Sequence, residues 1–141
     1  AGCPCFFYEI PEGHFYGFPA FGNGDLKVAL HSGGDPVSDP LQLDRELDHQ
    51  EQAVVEQFLE AYVPGVTRRA SGHATCMYTM AADRFFVIDR LPQHPGVVIA
   101  AGLSGHGFKF ASVIGEIMAD LAQNGETSHD IDLFRLDRFD A

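Results

Sequence analysis

The first third of the chain alternates between hydrophobic and polar positions in the manner of β-strands. Aromatic-rich stretches at residues 6–10 and 14–18 flank Pro11-Glu12-Gly13, where Pro and Gly supply the backbone angles of a tight turn, so this part predicts a β-hairpin. After a second turn signal at residues 22–25, aliphatic residues alternate with Lys27, Ala29 and His31. This period of two predicts a third strand that carries Lys27 and His31 on one face.

The middle of the chain predicts one helix and two further strands. Asp48 and Glu51 have the spacing of a capping box, with Asp in the Ser/Thr position, and an apolar stripe with helical spacing follows until Pro64-Gly65. Residues 74–80 and 84–90 predict two strands joined at residues 81–83, and residues 92–96 predict a turn. The residues of the stripe are Val54, Val55, Phe58, Leu59 and Tyr62.

The last third predicts a strand, a loop and a helix. Residues 97–101 are apolar without alternation, as expected of a strand covered on both faces, and a glycine-rich loop follows. Gly125 is expected to end the helix, and residues 131–136 to add a closing strand. A partly uncovered helix stripe would promote self-association of the chain. That stripe consists of Phe110, Val113, Ile114, Ile117, Met118 and Leu121.

Composition and charge narrow the class of protein. The length of 141 residues predicts one domain, and a hydrophobic content of 45% excludes intrinsic disorder. The formal net charge is −11 and the only lysines are Lys27 and Lys109, which excludes nucleic acid as a partner. No apolar run approaches the about 20 residues that cross a bilayer, so we expect no membrane partner and a cytoplasmic protein. The odd set of Cys3, Cys5 and Cys76 favours reduced thiols over disulfides.

Few residues stand out as candidates for chemistry when each is taken alone. The loop at residues 102–109 lies between a strand and a helix, where free backbone N–H groups could meet a cofactor. It matches neither G-x-G-x-x-G nor a P-loop, and the alternative is a tight turn between the strand and the helix. Cys76 could be an inert buried residue or a nucleophile. Lys27 and His31 could bind a carboxylate. The seven histidines form no compact metal-binding pair, so no metal is expected.

Four motifs that follow one another along the chain contain these candidate residues. They are Tyr16-Gly17-Phe18-Pro19, Leu26-Lys27-x-x-x-His31, Cys76-Met77-Tyr78-Thr79 and Gly105-His106-Gly107-Phe108-Lys109-Phe110. Together they resemble the monomeric sarcosine oxidase and N-methyltryptophan oxidase family of flavoenzymes. The resemblance implies an FAD-dependent oxidase that demethylates N-methyl amino acids, passing a hydride equivalent to FAD and regenerating the flavin with O₂ to give hydrogen peroxide.

The resemblance also implies roles for the matching residues. Cys76 matches the cysteine that binds FAD covalently through its sulfur, and Lys27 matches a lysine whose charge assists the reaction of the flavin with O₂. Lys109, with an arginine from the N-terminal half, matches the clamp on the substrate carboxylate. Tyr16, His31 and Tyr78 match the substrate pocket. The loop that borders the flavin ring corresponds to Gly105, His106, Gly107 and Phe108.

One departure from the family concerns the nucleotide-binding unit. The family begins with a β-α-β unit bearing G-x-G-x-x-G, which these residues lack. Residues 1–141 are therefore expected to be the C-terminal, substrate-pocket portion, with the N-terminal FAD-binding half as a partner. We expect an α+β fold with a mixed, largely antiparallel sheet and two main helices, in which the C-terminal strand-loop-helix belongs to the FAD-binding domain of the complete enzyme.

Two other functions and the choice of substrate stay open at this point. The chain could be a non-catalytic folding or association fragment, or part of a D-amino acid or glycine oxidase, although the latter leaves Cys76 without a role. Phe7, Tyr8 and Phe15 could shape a pocket for an aromatic substrate or simply pack the sheet. Sarcosine and N-methyltryptophan are thus both candidate substrates.

Overall fold

The computed structural model describes residues 4–21, 24–31 and 33–139, and these divide into two compact units, Ala1–Thr75 and Cys76–Ala141. The length argument predicted one domain, but each unit has its own antiparallel sheet and its own long helix. The α+β class with two main helices is confirmed. Cys3 and the Gly22-Asn23 part of the second turn signal lie outside the described residues.

The N-terminal unit contains a three-stranded sheet in the order β1 (Phe6–Ile10), β2 (Gly13–Phe21) and β3 (Asp25–Leu30). Ile10 pairs with Gly13 across the two-residue turn Pro11-Glu12, which confirms the predicted hairpin. Both strand pairs are antiparallel, as sequential strands with short turns require.

Helix α1 (His49–Tyr62) covers one face of this sheet. Asp48 caps it by accepting a hydrogen bond of 2.6 Å from the Gln50 N–H, so the predicted start is confirmed. Phe58 is 3% exposed, and its ring stacks on that of Phe15 at a centroid distance of 4.2 Å. A short 3-10 turn (Pro40–Gln42) precedes the helix.

The C-terminal unit consists of the hairpin β4 (Val87–Leu91) and β5 (His94–Ala101), followed by helix α2 (Ala111–Asn124). Gly125 ends α2 in the left-handed conformation with φ +78°, as predicted. Short 3-10 turns occupy Phe108–Phe110, Asp132–Phe134 and Leu136–Phe139. The buried core of this unit comprises Phe86, Ile88, Ile114, Ile117, Leu121 and Ile131.

The strand predicted at residues 74–80 is wrong. This segment forms a single bridge, between Met80 and Leu103, and it has no strand ladder among the described residues. The strand predicted at residues 84–90 begins only at Val87, because Arg84 has φ +65° and belongs to a turn. Residue types can favour an extended backbone, but a strand also requires a neighbouring strand to hydrogen-bond with it.

The closing strand predicted at residues 131–136 is also wrong, because these residues form 3-10 turns. The Asp130 carboxylate accepts a hydrogen bond of 3.2 Å from the Asp132 N–H, and such local bonds compete with sheet pairing. Ile131 and Phe134 nevertheless pack on the core, so the segment covers α2 and β4. Of the apolar stripe of α2, Ile114, Ile117 and Leu121 are buried whereas Phe110 is 39% exposed, so the stripe is covered only in part.

Strand β5 is exposed more than its sequence predicts. Val97 is 45% exposed, whereas Val98 and Ala100 pack against the core, and β4 is the only strand paired with β5 in the described part of the chain. The prediction that this strand is covered on both faces is therefore wrong for the described part of the chain. None of the described helices is long and apolar enough to cross a membrane.

Candidate functional site

Three of the predicted site residues meet on one face of the N-terminal sheet. Phe18 pairs with Lys27 and Tyr16 with Ala29, so alternation places Tyr16, Lys27 and His31 on the same face. The Lys27 Nζ lies 5.1 Å from the ring centroid of Tyr16, and the His31 ring meets the Tyr16 ring edge-on at 6.2 Å. We call this face, formed by Phe7, Tyr16, Phe18, Lys27 and His31, the polar–aromatic face.

The aromatic rings of this face hold the Lys27 ammonium by cation–π attraction. Its Nζ lies 5.4 Å from the Phe18 centroid in addition to the contact with Tyr16. The backbone N–H of His31 donates a 2.6 Å hydrogen bond to the His14 carbonyl, which extends the β2–β3 pairing to this residue. An ammonium, an imidazole and a phenol are thus brought together by strand register.

Two of the other aromatic residues of the sheet lie on its opposite face, against α1. Tyr8 and Phe15 contact Phe58 of α1, at centroid distances of 5.4 and 4.2 Å, so they pack the core. Phe7 lies on the other side, 5.7 Å from the His31 ring, and is 57% exposed. Of the three aromatic residues considered for a pocket, only Phe7 belongs to the polar–aromatic face.

The second group of predicted residues lies in the C-terminal unit, where the segment at residues 76–80 runs beside the glycine loop at residues 102–107. The Ser104 N–H donates a 3.0 Å hydrogen bond to the Thr79 carbonyl, and Met80 bridges to Leu103. Cys76, at the start of this segment, is an exposed free thiol. The thiol is therefore accessible, unlike the inert buried cysteine that was the alternative.

Two glycines of the loop are required by close packing. A Cβ on Gly105, whose φ is +79°, would lie 2.7 Å from the Tyr78 ring. A Cβ on Gly107 would lie 2.6 Å from the Leu103 Cβ. The absence of a side chain at Gly105 therefore lets the loop fit against the Cys76 segment, and that at Gly107 lets the loop pack on its own Leu103.

The other residues of the loop, His106, Phe108 and Lys109, are exposed. The His106 ring lies 5.0 Å from the ring of the buried Phe86. Phe108 is 95% exposed, and the Lys109 Nζ lies 5.5 Å from the Phe110 ring. The exposed ring and ammonium are accessible to a planar, anionic or carboxylate-bearing ligand.

The backbone N–H groups of the loop are less available than the sequence predicts. Those of His106 and Phe110 donate to the Leu103 and Gly107 carbonyls, and that of Ser104 is used by Thr79. A 3-10 turn also separates the loop from the N-terminus of α2. The tight-turn interpretation therefore accounts for much of the loop, and these three N–H groups do not face a ligand.

Two interactions were not found by sequence analysis. Ser104 is buried, has φ +50°, and its hydroxyl donates a 2.9 Å hydrogen bond to the Gly102 carbonyl. Arg138 pairs with Asp83, 55 positions earlier in the chain, through its Nε at 2.6 Å and its Nη2 at 3.1 Å. The Arg138 hydrogen bond lowers the pKa of Asp83 below its ordinary value. No sequence pattern marks a pair so far apart.

The chemistry of these residues fits a flavin ring, though not a metal. An exposed thiol and an accessible loop supply groups that could hold an isoalloxazine. Within residues 4–21, 24–31 and 33–139, no group of three or more His, Cys, Asp or Glu is arranged to hold a metal ion. The polar–aromatic face and the Cys76 segment belong to different units, and each is described separately.

Comparison with known proteins gives the family of the chain. The family described as FAD dependent oxidoreductase matches residues 1–121. Monomeric sarcosine oxidase of Bacillus sp. (strain NS-129) is 47% identical over 137 residues, which cover 96% of this chain and 35% of the relative. N-methyl-L-tryptophan oxidase of Escherichia coli (strain K12 / DH10B) is 42% identical over 141 residues, covering 96% and 37%.

A solved structure supports the fold. NikD, an unusual amino acid oxidase essential for nikkomycin biosynthesis, in its open form, aligns with a TM-score of 0.67 and 24% identity over 94% of this chain and 37% of NikD. The chain therefore spans a little over a third of the length of the relatives it matches. These matches extend along nearly the whole chain, and we conclude from them that this protein belongs to the FAD dependent oxidoreductase family.

Proposed function

We propose that this chain is the substrate-pocket portion of an FAD-dependent oxidase of N-methyl amino acids. The observation that carries the proposal is the polar–aromatic face, because it presents Tyr16, Lys27 and His31 together on the side of the sheet opposite α1. Relatives at 42–47% identity are oxidases of sarcosine or N-methyl-L-tryptophan, which supports the same conclusion. FAD, when bound, supplies the two-electron oxidation, and O₂ takes up the electrons as hydrogen peroxide.

On the polar–aromatic face each side chain has a proposed task. Tyr16 and His31 bind and orient the amine, since an imidazole nitrogen and a phenol oxygen can exchange hydrogen bonds with it. Lys27 supplies a fixed positive charge that stabilises negative charge developing on oxygen. Its contacts with the Tyr16 and Phe18 rings keep that charge in place.

In the C-terminal unit we propose that Lys109 binds the substrate carboxylate by a charge-assisted hydrogen bond, together with an arginine of the N-terminal half. Gly105, His106, Gly107 and Phe108 border the flavin ring, and Tyr78 fixes the loop by packing on Gly105. Water exclusion at this border depends on Phe108, whose ring is otherwise left in solvent.

Cys76 is proposed to bind FAD covalently. Its thiolate would hold the cofactor through a thioether to the 8α carbon of the flavin ring, replacing one hydrogen there. Formation of that bond would be a two-electron oxidation, for which O₂ would be the oxidant, and the displaced hydrogen would leave as a proton. The exposure of Cys76 supports this role because a buried thiol could not reach the cofactor.

The proposed partner of the chain is the N-terminal, FAD-binding half of the same oxidase. Strand β5 pairs only with β4 among the described residues and leaves Val97 45% exposed, which supports a further neighbour at β5. We propose that the strand-loop-helix formed by β5 and α2 belongs to the FAD-binding domain of the complete enzyme. A non-catalytic association fragment would use the same surface but would oxidise no amine.

The experiment that tests covalent binding is co-expression with the N-terminal half, followed by denaturation and intact-mass analysis. We expect flavin to stay on the wild-type chain and on Cys5→Ala, and to be lost from Cys76→Ala. Cys5 is a matched control because it is also an exposed free thiol. Flavin that is released from all three proteins would overturn the covalent role of Cys76.

A substrate panel then tests the reaction. Sarcosine, N-methyltryptophan, glycine and D-amino acids are compared by peroxide release from the reconstituted protein. We expect secondary amino acids to be oxidised and His31→Asn to raise KM. Preference for glycine or D-amino acids would favour the related oxidases instead, and no oxidation of any substrate would favour the association fragment.

A further inference from the structure

The Arg138 side chain connects the C-terminal segment with the turn at residues 81–85. Its Nε and Nη2 bind both oxygens of Asp83, Nη2 also donates to the Phe85 carbonyl at 3.3 Å, and Nη1 donates to the Arg135 carbonyl at 2.8 Å. The side chain is 14% exposed, compared with 45% for Arg135. The planar guanidinium of Arg138 therefore holds this turn by several hydrogen bonds, a geometry that lysine cannot reproduce.

The turn held by Arg138 adopts a conformation that needs support. Arg84 has φ +65°, a region that side-chain-bearing residues rarely adopt, and its N–H donates to the Ala81 carbonyl at 3.0 Å. The Asp83 carboxylate additionally accepts a 3.1 Å hydrogen bond from the Phe85 N–H. Asp83 is therefore the point at which Arg138 can hold the turn in this conformation.

The other side of the turn leads directly to the Cys76 segment. Ala81 packs against Gly102, where an added Cβ would lie 3.0 Å from the Ala81 Cβ. The Met80 bridge and the hydrogen bond from Ser104 to Thr79 precede it. A displacement of the turn would therefore loosen the segment from the glycine loop.

We propose that Arg138 is a positioning residue that, through Asp83, keeps the Cys76 segment docked on the glycine loop. The docking itself rests only on contacts within the C-terminal unit. Its consequence, that Arg138 determines how efficiently Cys76 is presented to the flavin, rests on the proposed function. Arg138 touches neither substrate nor cofactor in this scheme.

The first test measures docking in the chain without flavin. Residue-resolved hydrogen exchange is compared for wild type, Arg138→Gln, Arg138→Lys and Arg135→Gln. We expect exchange of the Ser104 amide to become about tenfold faster in Arg138→Gln, since local opening exposes its hydrogen bond, while amides of α2 and of the β4–β5 ladder keep their rates. Arg138→Lys should restore only part of the protection, and Arg135→Gln should match wild type.

The second test measures presentation of the thiol in the protein assembled with its N-terminal half. The fraction of bound flavin that survives denaturation is followed over time. We expect Arg138→Gln to form covalent flavin about tenfold more slowly at unchanged total flavin, because misplacing a reacting group slows bond formation more than it weakens binding. Arg135→Gln is expected to match wild type.

These two tests separate the possible failures. An unchanged Ser104 amide in Arg138→Gln, or a uniform loss of protection across the unit, would overturn the docking role. Normal covalent flavin formation in a variant with faster Ser104 exchange would overturn the link to Cys76. No covalent flavin in wild type would instead refute the proposed tether, while hydrogen exchange would still decide the docking. If Arg138→Gln does not fold, Asp83→Asn, which keeps the turn and weakens the same pair, must show the same changes at smaller size.

Discussion

In the N-terminal unit the contacts that define the site join neighbouring strands, whereas in the C-terminal unit they join segments that are distant in sequence. Tyr16, Lys27 and His31 meet because β2 and β3 pair in a fixed register. Tyr78 and Gly105 come close because a segment without a strand ladder is held on a loop by the hydrogen bond from Ser104 to Thr79 and one bridge. The first kind of site is maintained by a sheet, and the second by a small number of separate contacts.

The two units also differ in how they tolerate substitutions. One face of the three-stranded sheet packs on α1 through Phe58, so the opposite face is free to carry polar residues without loss of core. In the C-terminal unit the glycine loop is part of the packing at Gly105 and Gly107, where an added Cβ would lie within 3 Å of Tyr78 or Leu103. Substitutions should therefore affect the two units in different ways, and four of them test this.

The largest effect is expected from Phe58→Ala. The ring is 3% exposed and contacts Phe6, Tyr8, Phe15 and Tyr62, so its removal leaves a cavity. We expect a loss of about 3–5 kcal/mol in the free energy of unfolding of the N-terminal unit. Urea unfolding gives the total loss, and hydrogen exchange shows whether it is confined to β1–β3 and α1.

Val54→Ala is the matched control for this substitution. Val54 lies on the same helix but is 36% exposed, so we expect a loss below about 1 kcal/mol. Equal acceleration of exchange in β4, β5 and α2 by Phe58→Ala would show that the two units unfold together, which would contradict the contrast drawn between them.

A smaller effect, specific to the C-terminal unit, is expected from Gly105→Ala. The position combines φ +79° with a Cβ placed 2.7 Å from the Tyr78 ring, so either the loop or Tyr78 must move. We expect a destabilisation of about 1–3 kcal/mol, measured by urea unfolding, with faster exchange of the Ser104 amide.

Replacement of Gly115 by Ala should instead increase the stability of the C-terminal unit. Gly115 lies within α2 and a Cβ there meets nothing within 4 Å, so Gly115→Ala should stabilise by about 0.5–1 kcal/mol. If both variants changed stability equally, the loop would not depend on the absence of a side chain at Gly105.

The contrast between the units also explains which features the sequence predicts. The β1–β2 hairpin, the Asp48 cap and the α2 stripe depend on residues within a few positions of each other, and the structure confirms them. The placement of Lys27 and His31 on the same face of β3 follows from the same local rule.

The features missed by the sequence depend on distant partners. The residue types at 74–80 favour a strand, but the neighbouring strand that would make them one is not a local property. The Asp83–Arg138 pair and the buried Ser104 arise from tertiary packing in the same way. The residue roles at the site came from family resemblance, because a lone cysteine or lysine does not reveal its ligand.

A smaller loss of stability again is expected for Asp48→Ala. Asp48 accepts hydrogen bonds from the Gln50 and Glu51 N–H groups, and loss of this cap should cost about 1 kcal/mol in the N-terminal unit. Urea unfolding measures the cost. Asp48→Asn retains the accepting oxygen and should lie close to wild type, so an equal loss in both variants would show that the hydrogen bond is not what matters.

The smallest effect concerns the response of the C-terminal unit to acid. Because the Arg138 hydrogen bond lowers the pKa of Asp83 in the folded chain, the pair stabilises the fold above the pKa that Asp83 has when unfolded. This contribution should disappear as pH falls through the lowered pKa. The difference in free energy of unfolding between wild type and Asp83→Asn, measured by urea from about pH 7 to about pH 2, should therefore shrink toward zero at the acid end. In an Arg138→Gln background the pH dependence should be clearly smaller, because, of the Arg138 and Phe85 partners, only the Phe85 N–H remains to lower the pKa of Asp83. A pH dependence of unchanged size there would assign the effect to a partner other than Arg138.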